Sequence, residues 1–416
     1  MMLTKLAALG PRALTFGLSQ RRPADTFVLM APSVEGSRGD AAMMEVLLSD
    51  LRRRYSGRVV LLCYRRTERH VDLVRNFGVQ LESLEQLMVR PLRLRQLLNR
   101  THTFRLIGAD IVDGFYNPLT TLLRLSTAET FAYAGCDAKI ISFSFCAVPA
   151  PSVSALWRQL PGSVGLLVRD PESKRRLTRL LDRDIPQAAD LAFLLESDDL
   201  GTEEEREWID VQRAGGQTVV GIGVNALLVK DGGRRALAGV LSRLMSLNPK
   251  LSLLLVAHDF RANSSDVDAA RDTLSHMASE LLGRLNVVIR EYTPRQLKAI
   301  AKQLDAVVSG RMHFSIAALS QGVPAFCFRY QGKIEGLLEL VGLGRDVEMV
   351  SVESTALEPN GELVATLIHA FLERRQEFAQ RIAAQLPKLK TLAAMNLDYP
   401  RLPSSSTKQV GADAAV

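Results

Sequence analysis

Short apolar, β-branched runs alternate with helical patterns along nearly the whole chain, and this alternation limits the fold more than any other feature. Thr26–Met30, Arg58–Leu62, Thr103–Ile107, Lys139–Phe143 and Val164–Val168 form a first set, separated by helical segments near 40–54, 68–77, 84–99, 118–133 and 171–181. Thr218–Gly221, Leu251–Val256, Asn286–Ile289, Asp305–Val308 and Ala325–Phe328 form a second. Strands of this length joined through helices imply βαβ units, right-handed crossovers and a parallel sheet. At 416 residues the chain exceeds one ordinary core, so two domains are expected. The fold class is α/β, with two doubly wound, Rossmann-like domains facing a cleft. The expected layout is a flexible segment over 1–25, a first domain over 26–195, an acidic, apolar-poor linker over 196–206 and a second domain over 207–360. A helical segment over 361–398 is expected to pack back on the first domain. From Tyr399 to 416, Pro, Ser, Thr and small residues predict a disordered tail.

Composition narrows the function classes. The four cysteines, Cys63, Cys136, Cys146 and Cys327, are scattered without a C-x-x-C pair, so neither a zinc ribbon nor a disulfide framework is indicated. Reduced thiols fit a cytoplasmic location. No run of about 18 apolar residues exists to span a bilayer. The first 25 residues are basic, but Gly10-Pro11-Arg12 interrupts any secretory core. A net charge of +7 suits anionic ligands and leaves room for peripheral association at the inner face of a membrane. It does not indicate nucleic acid, because basic spots such as Arg52-Arg53-Arg54 lack interleaved aromatics and read as a solvated helix face.

The densest chemistry follows the strand ending at Val308. Ser309-Gly310-Arg311-Met312-His313 forms a strand-to-helix turn, and the next strand delivers Tyr330 and Lys333 at its own end. Carboxyl edges of open α/β sheets are where ligands bind, and a helix's first turn favours anions. Two cations, an imidazole and a helix N-terminus there describe a site for a small phosphorylated or carboxylated molecule. Alone, Lys333 would read as a surface residue, and a buried, satisfied histidine is the alternative to a functional His313. Arg169 ends another strand and points toward the cleft, whereas Asp170-Pro171 reads as a helix N-cap and first position. Asp40 after the first strand either caps the helix beginning at Ala41 or orients a sugar hydroxyl. His258 and Asp110 also stand near strand ends, and Asp113-Gly114-Phe115-Tyr116 sits where it could line the acceptor side. Gly221-Ile-Gly223 lacks a third glycine, and Asp182-Arg-Asp184 and Asp266-Val-Asp268 lie off the strand ends, so neither a dinucleotide nor a catalytic metal is expected.

The phrase from Ala306 to Leu338 resembles the polysaccharide pyruvyl transferase family: a small-x-Arg-apolar-His turn, an alanine-rich helix, Gly322-Val323-Pro324, a strand, then Tyr330-x-x-Lys333. Other pieces follow in the family's order, namely Gly39-Asp40, Leu167-Val168-Arg169-Asp170 with Ser173, Asp190-Leu-Ala-Phe193 and His258. The likeness runs over roughly residues 26 to 345. It implies a GT-B arrangement and a transferase that moves the pyruvyl group of phosphoenolpyruvate onto two hydroxyls of a saccharide or lipid-linked glycan. The product is a cyclic ketal, phosphate is released, and no cofactor beyond the donor is implied. Arg169 falls where the family carries an arginine that binds the anionic donor. The expected roles are catalytic for His313, Arg311 and Lys333, donor-binding for Arg169, Arg311 and Ser309, and acceptor-binding for Asp40, Asp110 and His258. Two other readings stay open. An Arg…Lys pair can grip the diphosphate of a nucleotide sugar, as in a GT-B glycosyltransferase, although no acid is clearly placed to hold a ribose. Gly310 departs from the bulkier residue expected before the arginine, which leaves a catalytically silent saccharide- or anion-binding paralogue.

Overall fold

The computed structural model describes residues 24–32, 36–225, 232–261, 265–330, 332–358 and 361–400, together with Thr15. The first sheet contains β1 (Thr26–Met30), β2 (Arg58–Cys63), β3 (Gln80–Ser83), β4 (Thr101–Ala109), β5 (Asp137–Phe143) and β6 (Gly165–Val168), in the order β3-β2-β1-β4-β5-β6. The second contains β7 (Thr218–Gly223), β8 (Leu251–Val256), β9 (Leu285–Val288), β10 (Ala306–Ser309), β11 (Ala325–Arg329) and β12 (Ser351–Glu353). Its order, β9-β8-β7-β10-β11-β12, repeats the first. All pairings are parallel. In each sheet the winding reverses once, between β1 and β4 and between β7 and β10. The loops after those four strands therefore border the crevices where doubly wound sheets take ligands.

Central strands such as β1, β8 and β10 are buried along their whole length, because helices cover both faces of a parallel sheet. One apolar core runs from Phe27, Leu29 and Ile141 through the 3-10 turn Leu191–Leu194 into the second sheet. A separate cluster around Val28, Phe104 and Trp157 fills the other face of the first sheet. The domains are thus joined by apolar packing, and by backbone pairing too: Phe260 N donates to Gly36 O at 3.2 Å and Arg38 N to His258 O at 3.3 Å.

Three boundaries differ from expectation. The helix Glu203–Ala214 begins inside the expected linker, which leaves the connection shorter. Gly361–Glu373 packs against Gly233–Leu247 of the second domain, and only Arg375–Ala394 returns to the first. Tyr399 belongs to the first domain's core: its ring lies 5.3 Å from that of Phe27, and its hydroxyl donates to Asp50 Oδ2 at 2.6 Å. The rest of the expected tail, 401–416, and all of the N-terminal segment before residue 24 except Thr15 lie outside the described residues. The expected helix over 84–99 is two helices, Leu84–Met88 and Pro91–Arg100, because Pro91 cannot continue the first and is well suited to start the second. No helix among the described residues is long and apolar enough to cross a membrane.

Candidate active site

Arg169 follows directly on β6. The chain later returns beside that strand, with Ala188 N donating to Val168 O at 2.8 Å, and so brings Asp190 to the arginine. Arg169 is 2% exposed. Its Nη1 donates to Asp190 Oδ2 at 2.7 Å and its Nε to Ser144 Oγ at 2.8 Å, while among the described residues Nη2 meets only the Met312 sulfur, at 3.5 Å. A thioether is a weak acceptor, so one edge of a buried guanidinium is poorly used. The other oxygen of Asp190 accepts from Ala192 N at 2.8 Å. Burial alone would raise the Asp190 carboxyl, but His313 and Arg169 hold it down at about 2.

His313 comes from the other domain. Asn225 Nδ2, after β7, donates to Gly310 O, after β10, at 2.7 Å, which ties together the two loops at the second reversal point. The helix Met312–Leu319 starts there and places His313 Nε2 3.6 Å from Asp190 Oδ2 and 3.5 Å from Arg169 Nη1. The Cγ–Nδ1 edge of the ring packs on Gly39, where a Cβ would sit 2.0 Å from either atom. The reversal points of the two sheets therefore face each other across the domain boundary.

Arg311 turns elsewhere. Its Nε and Nη2 donate to the two oxygens of Asp266 at 3.0 and 2.5 Å, and Nη1 lies 3.2 Å from Asp259 Oδ2. The guanidinium expected to face the donor is spent on two carboxylates of its own domain. Ser309, expected at the donor as well, is 1% exposed, and its hydroxyl accepts from Arg311 N at 2.9 Å and donates to Arg311 O at 3.0 Å. Both residues build the turn that carries His313.

Lys333 precedes the helix Ile334–Leu340 and reaches into the first domain. Its Nζ lies 3.6 Å from Asp110 Oδ2, 3.9 Å from Asp113 Oδ2 and 5.4 Å from the centre of the Tyr116 ring. The side chain is 1% exposed, yet the ammonium has no hydrogen-bond partner among the described residues. Burial would raise the Asp110 carboxyl, but Lys333, Arg169 and His313 keep it at about 2. Ala109, just before it, has φ of 47°, a left-handed conformation that costs a non-glycine residue and clusters at functional sites.

Asp40 is not the helix cap. Ser37 caps the helix Arg38–Arg54, its hydroxyl accepting from Asp40 N at 3.4 Å, so the Asp40 carboxyl is left to the cleft. Part of its surface stays open, but it lies deep between the domains, and burial pushes it up to about 7, opposed by His313 and reinforced by Asp110. His258 lines a narrow cavity with Arg38, Gly39, Lys298 and His313. Burial, then the positive charges of His313, Arg311 and Arg38, hold its imidazole well below the usual range, so it is neutral. Asp190 and Asp113 stood in the sequence only as parts of motif phrases, without a role of their own, and Arg124 was not singled out at all. Arg124 lies on the helix Pro118–Tyr133 yet shares the field of Asp40 and Asp110.

The sequence profile of the family described as polysaccharide pyruvyl transferase matches residues 38–332. The chain belongs to the polysaccharide pyruvyl transferase family. The matched span takes in Asp40, Asp110, Arg169, Asp190 and His313 and ends one residue before Lys333. No curated protein matches the sequence. Solved structures share the fold. A putative UDP-N-acetylglucosamine 2-epimerase from Listeria monocytogenes is 10% identical with a TM-score of 0.56, covering 91% of this chain and 98% of its own. A glycosyltransferase from Rickettsia africae is 11% identical with a TM-score of 0.54, over 91% of this chain and 100% of that one. A UDP-N-acetylglucosamine 2-epimerase from Neisseria meningitidis, bound to UDP-N-acetylglucosamine, is 12% identical with a TM-score of 0.54, over 89% and 99%. The arrangement is that of GT-B glycosyltransferases and their epimerase relatives: two Rossmann-like domains.

Proposed function

We propose that the protein transfers the pyruvyl group of phosphoenolpyruvate onto two hydroxyls of a saccharide or glycan, forming a cyclic ketal and releasing phosphate. The observation that carries this reading is the meeting of Arg169, Asp190 and His313 across the domain boundary, beside the buried ammonium of Lys333. The donor bears a carboxylate and a phosphate close together. Lys333 and the weakly used edge of Arg169 supply N–H donors for them, and the first turn of Met312–Leu319 adds its dipole.

The reaction begins with a proton placed on the donor's methylene carbon, which leaves positive character at C2. One sugar hydroxyl bonds to C2 and loses its proton, the C2–O bond to phosphate breaks, and the second hydroxyl closes the ketal. Of the two hydroxyl protons, one balances the new methyl group and the other leaves on phosphate. His313 delivers the first proton, with its ring oriented by the ionised Asp190. Asp40, with a carboxyl titrating near 7, accepts a hydroxyl proton, since acid–base groups work best near the operating pH. Asp110, ionised, holds the acceptor's hydroxyls. Arg311 acts indirectly, through the turn it braces.

The test is phosphate release from phosphoenolpyruvate against a panel of methyl glycosides and lipid-linked glycans, with the ketal methyl group read by NMR and chelator present throughout. Acceptor-dependent release and a raised melting temperature with phosphoenolpyruvate are expected. Stabilisation by nucleotide sugars with none by phosphoenolpyruvate would hand the site to a glycosyltransferase. Binding of phosphoenolpyruvate without any turnover would mark a silent paralogue.

A further inference from the structure

The loop between β4 and the helix Pro118–Tyr133 holds two aromatic rings in solvent beside this site. Phe115 and Tyr116 are 54% and 49% exposed, and their rings meet edge to face at 5.3 Å and 84°. The loop is firmly held from below. Asp113 Oδ1 accepts from Phe115 N at 3.1 Å and Asp113 Oδ2 from Cys146 N at 3.1 Å. Gly114, at φ +82°, is pressed so closely on the helix Pro151–Gln159 that a Cβ would lie 2.7 Å from Val153 Cγ2. A loop fixed in this way displays its rings by construction, and burying them nowhere forgoes apolar stabilisation. Tyr116 also joins the site directly: its hydroxyl donates to Asp110 Oδ2 at 3.1 Å, and its ring lies 5.4 Å from Lys333 Nζ.

We propose that Phe115 and Tyr116 form the platform on which the acceptor's pyranose ring stacks, which deepens the transferase reading and rests on it. A pyranose presents a face of C–H bonds and a rim of hydroxyls. The two rings match the face, and Asp110 and Asp40 at the inner end of the platform accept hydrogen bonds from the rim. Hydrogen bonding argues against the other occupant of an exposed apolar patch, an anionic membrane. A lipid phosphodiester has no hydrogen to donate to the carboxylates of Asp110 and Asp40, whereas a sugar hydroxyl has. Stacking here also gives the sugar a direction, with the hydroxyls to be ketalised pointing inward and the rest of the glycan leaving past two exposed side chains, Leu119 in the first turn of Pro118–Tyr133 and Val148 in the loop before Pro151–Gln159.

Saturation-transfer NMR on the full chain tests this with methyl β-D-galactopyranoside, methyl β-D-glucopyranoside and methyl α-D-mannopyranoside as probes, each with and without phosphoenolpyruvate. For at least one probe, saturation is expected on the C–H protons of a single ring face. Phe115→Ala is expected to reduce it by about fivefold or more, the scale of truncating a central anchor, and Phe115→Trp to retain it. The melting shift caused by phosphoenolpyruvate should be unchanged in both variants. Equal saturation in wild type and Phe115→Ala, or none in wild type, overturns the platform. So does loss of binding to phosphatidylglycerol vesicles in Phe115→Ala with saturation unchanged. A wild type that phosphoenolpyruvate fails to stabilise counts against the transferase reading alone, because the donor-free sugar signal is measured separately.

Discussion

Gly39 of the first domain and His313 of the second are in such close contact that a β-carbon on the glycine would lie 2.0 Å from the imidazole. No side chain fits between them, so the residue that lets the domains meet also sets the position of the ring. Gly39→Ala must push the helix Arg38–Arg54 and His313 apart, at about 1–3 kcal/mol for overpacking. The expected outcome is a lower melting temperature and a large loss of phosphate release. In a His313→Ala background the same substitution should cost little stability, because the obstacle is gone. A double-mutant cycle on melting temperature checks this, and additive losses would sever the link.

Arg169 and Arg311 both follow strands, yet their surroundings predict opposite phenotypes. Arg169 has an edge turned to a sulfur and stands beside His313, whereas Arg311 is paired with Asp266 and Asp259. Arg311→Ala removes the cation paired with the buried carboxyl of Asp266, which keeps the amides of His258 and Asp259, while Asp259 keeps Arg261. Losing the partner of a buried charge should cost this variant about 3–5 kcal/mol of stability. Its phosphoenolpyruvate affinity should change less than that of Arg169→Ala. Arg169→Ala should lose about 1.5–3 kcal/mol of donor binding, the worth of a hydrogen bond to a charged group. Arg169→Lys should not restore it, since a point charge cannot serve Asp190, Ser144 and a ligand at once. Calorimetry with phosphoenolpyruvate, alongside thermal melts of each variant, separates the two. Equal affinity losses would show that Arg311 faces the donor after all.

What could be read in the sequence follows from how each feature is encoded. Strands such as β8 and β10 are buried on both faces, so they spell out continuous apolar runs. The strands β3 and β12 close the edges of their sheets, and Gln80-Leu-Glu-Ser83 and Ser351-Val-Glu353 carry a single apolar residue each. Such edges cannot be told from loop. That His313, Arg169 and Lys333 stand at strand ends was legible, because the strands themselves were. That the loops after β1 and β4 face the loop after β10 was not, because strand order is decided by pairing between distant segments. The pairing of Arg311 was hidden for the same reason: its partners lie far upstream, at positions 259 and 266, and only the folded chain brings them together.

Asp40 should leave a signature in the pH dependence of stability. Its carboxyl is raised from 3.8 to about 7 in the folded protein, chiefly by burial. The folded state then holds a proton that the unfolded state has released, so stability falls as pH rises between those values and levels off above 7. Each pKa unit is worth about 1.36 kcal/mol, so the decline is on the order of a few kcal/mol, reduced by the part of Asp40 that solvent reaches. Asp40→Asn should match wild type below pH 4 and exceed it at pH 8. If Asp40 is also the base, the variant should be the more stable and the less active protein. Denaturant melts across this range decide the matter, and identical pH profiles would refute the shift.

The last prediction concerns a residue far from the chemistry. Ser142 sits in β5 with φ of 50°, where the register slips. Its amide donates to Asn396 Oδ1 at 3.0 Å, and its hydroxyl accepts from Leu191 N at 3.0 Å. Asn396 Nδ2 donates to Ala189 O at 2.8 Å. The returning C-terminal segment therefore grips the chain on either side of Asp190, through Ala189 directly and through Leu191 by way of Ser142. Asn396→Ala leaves a buried amide and a buried carbonyl without partners, at about 1–3 kcal/mol for each unsatisfied group. The backbone that aims Asp190 at Arg169 and His313 should loosen with it. Faster hydrogen exchange at the Ser142 and Leu191 amides is expected, together with a drop in phosphate release larger than the loss of folded protein explains. Unchanged exchange at Leu191 would mean that the C-terminal segment only buttresses the first domain and does not aim the site.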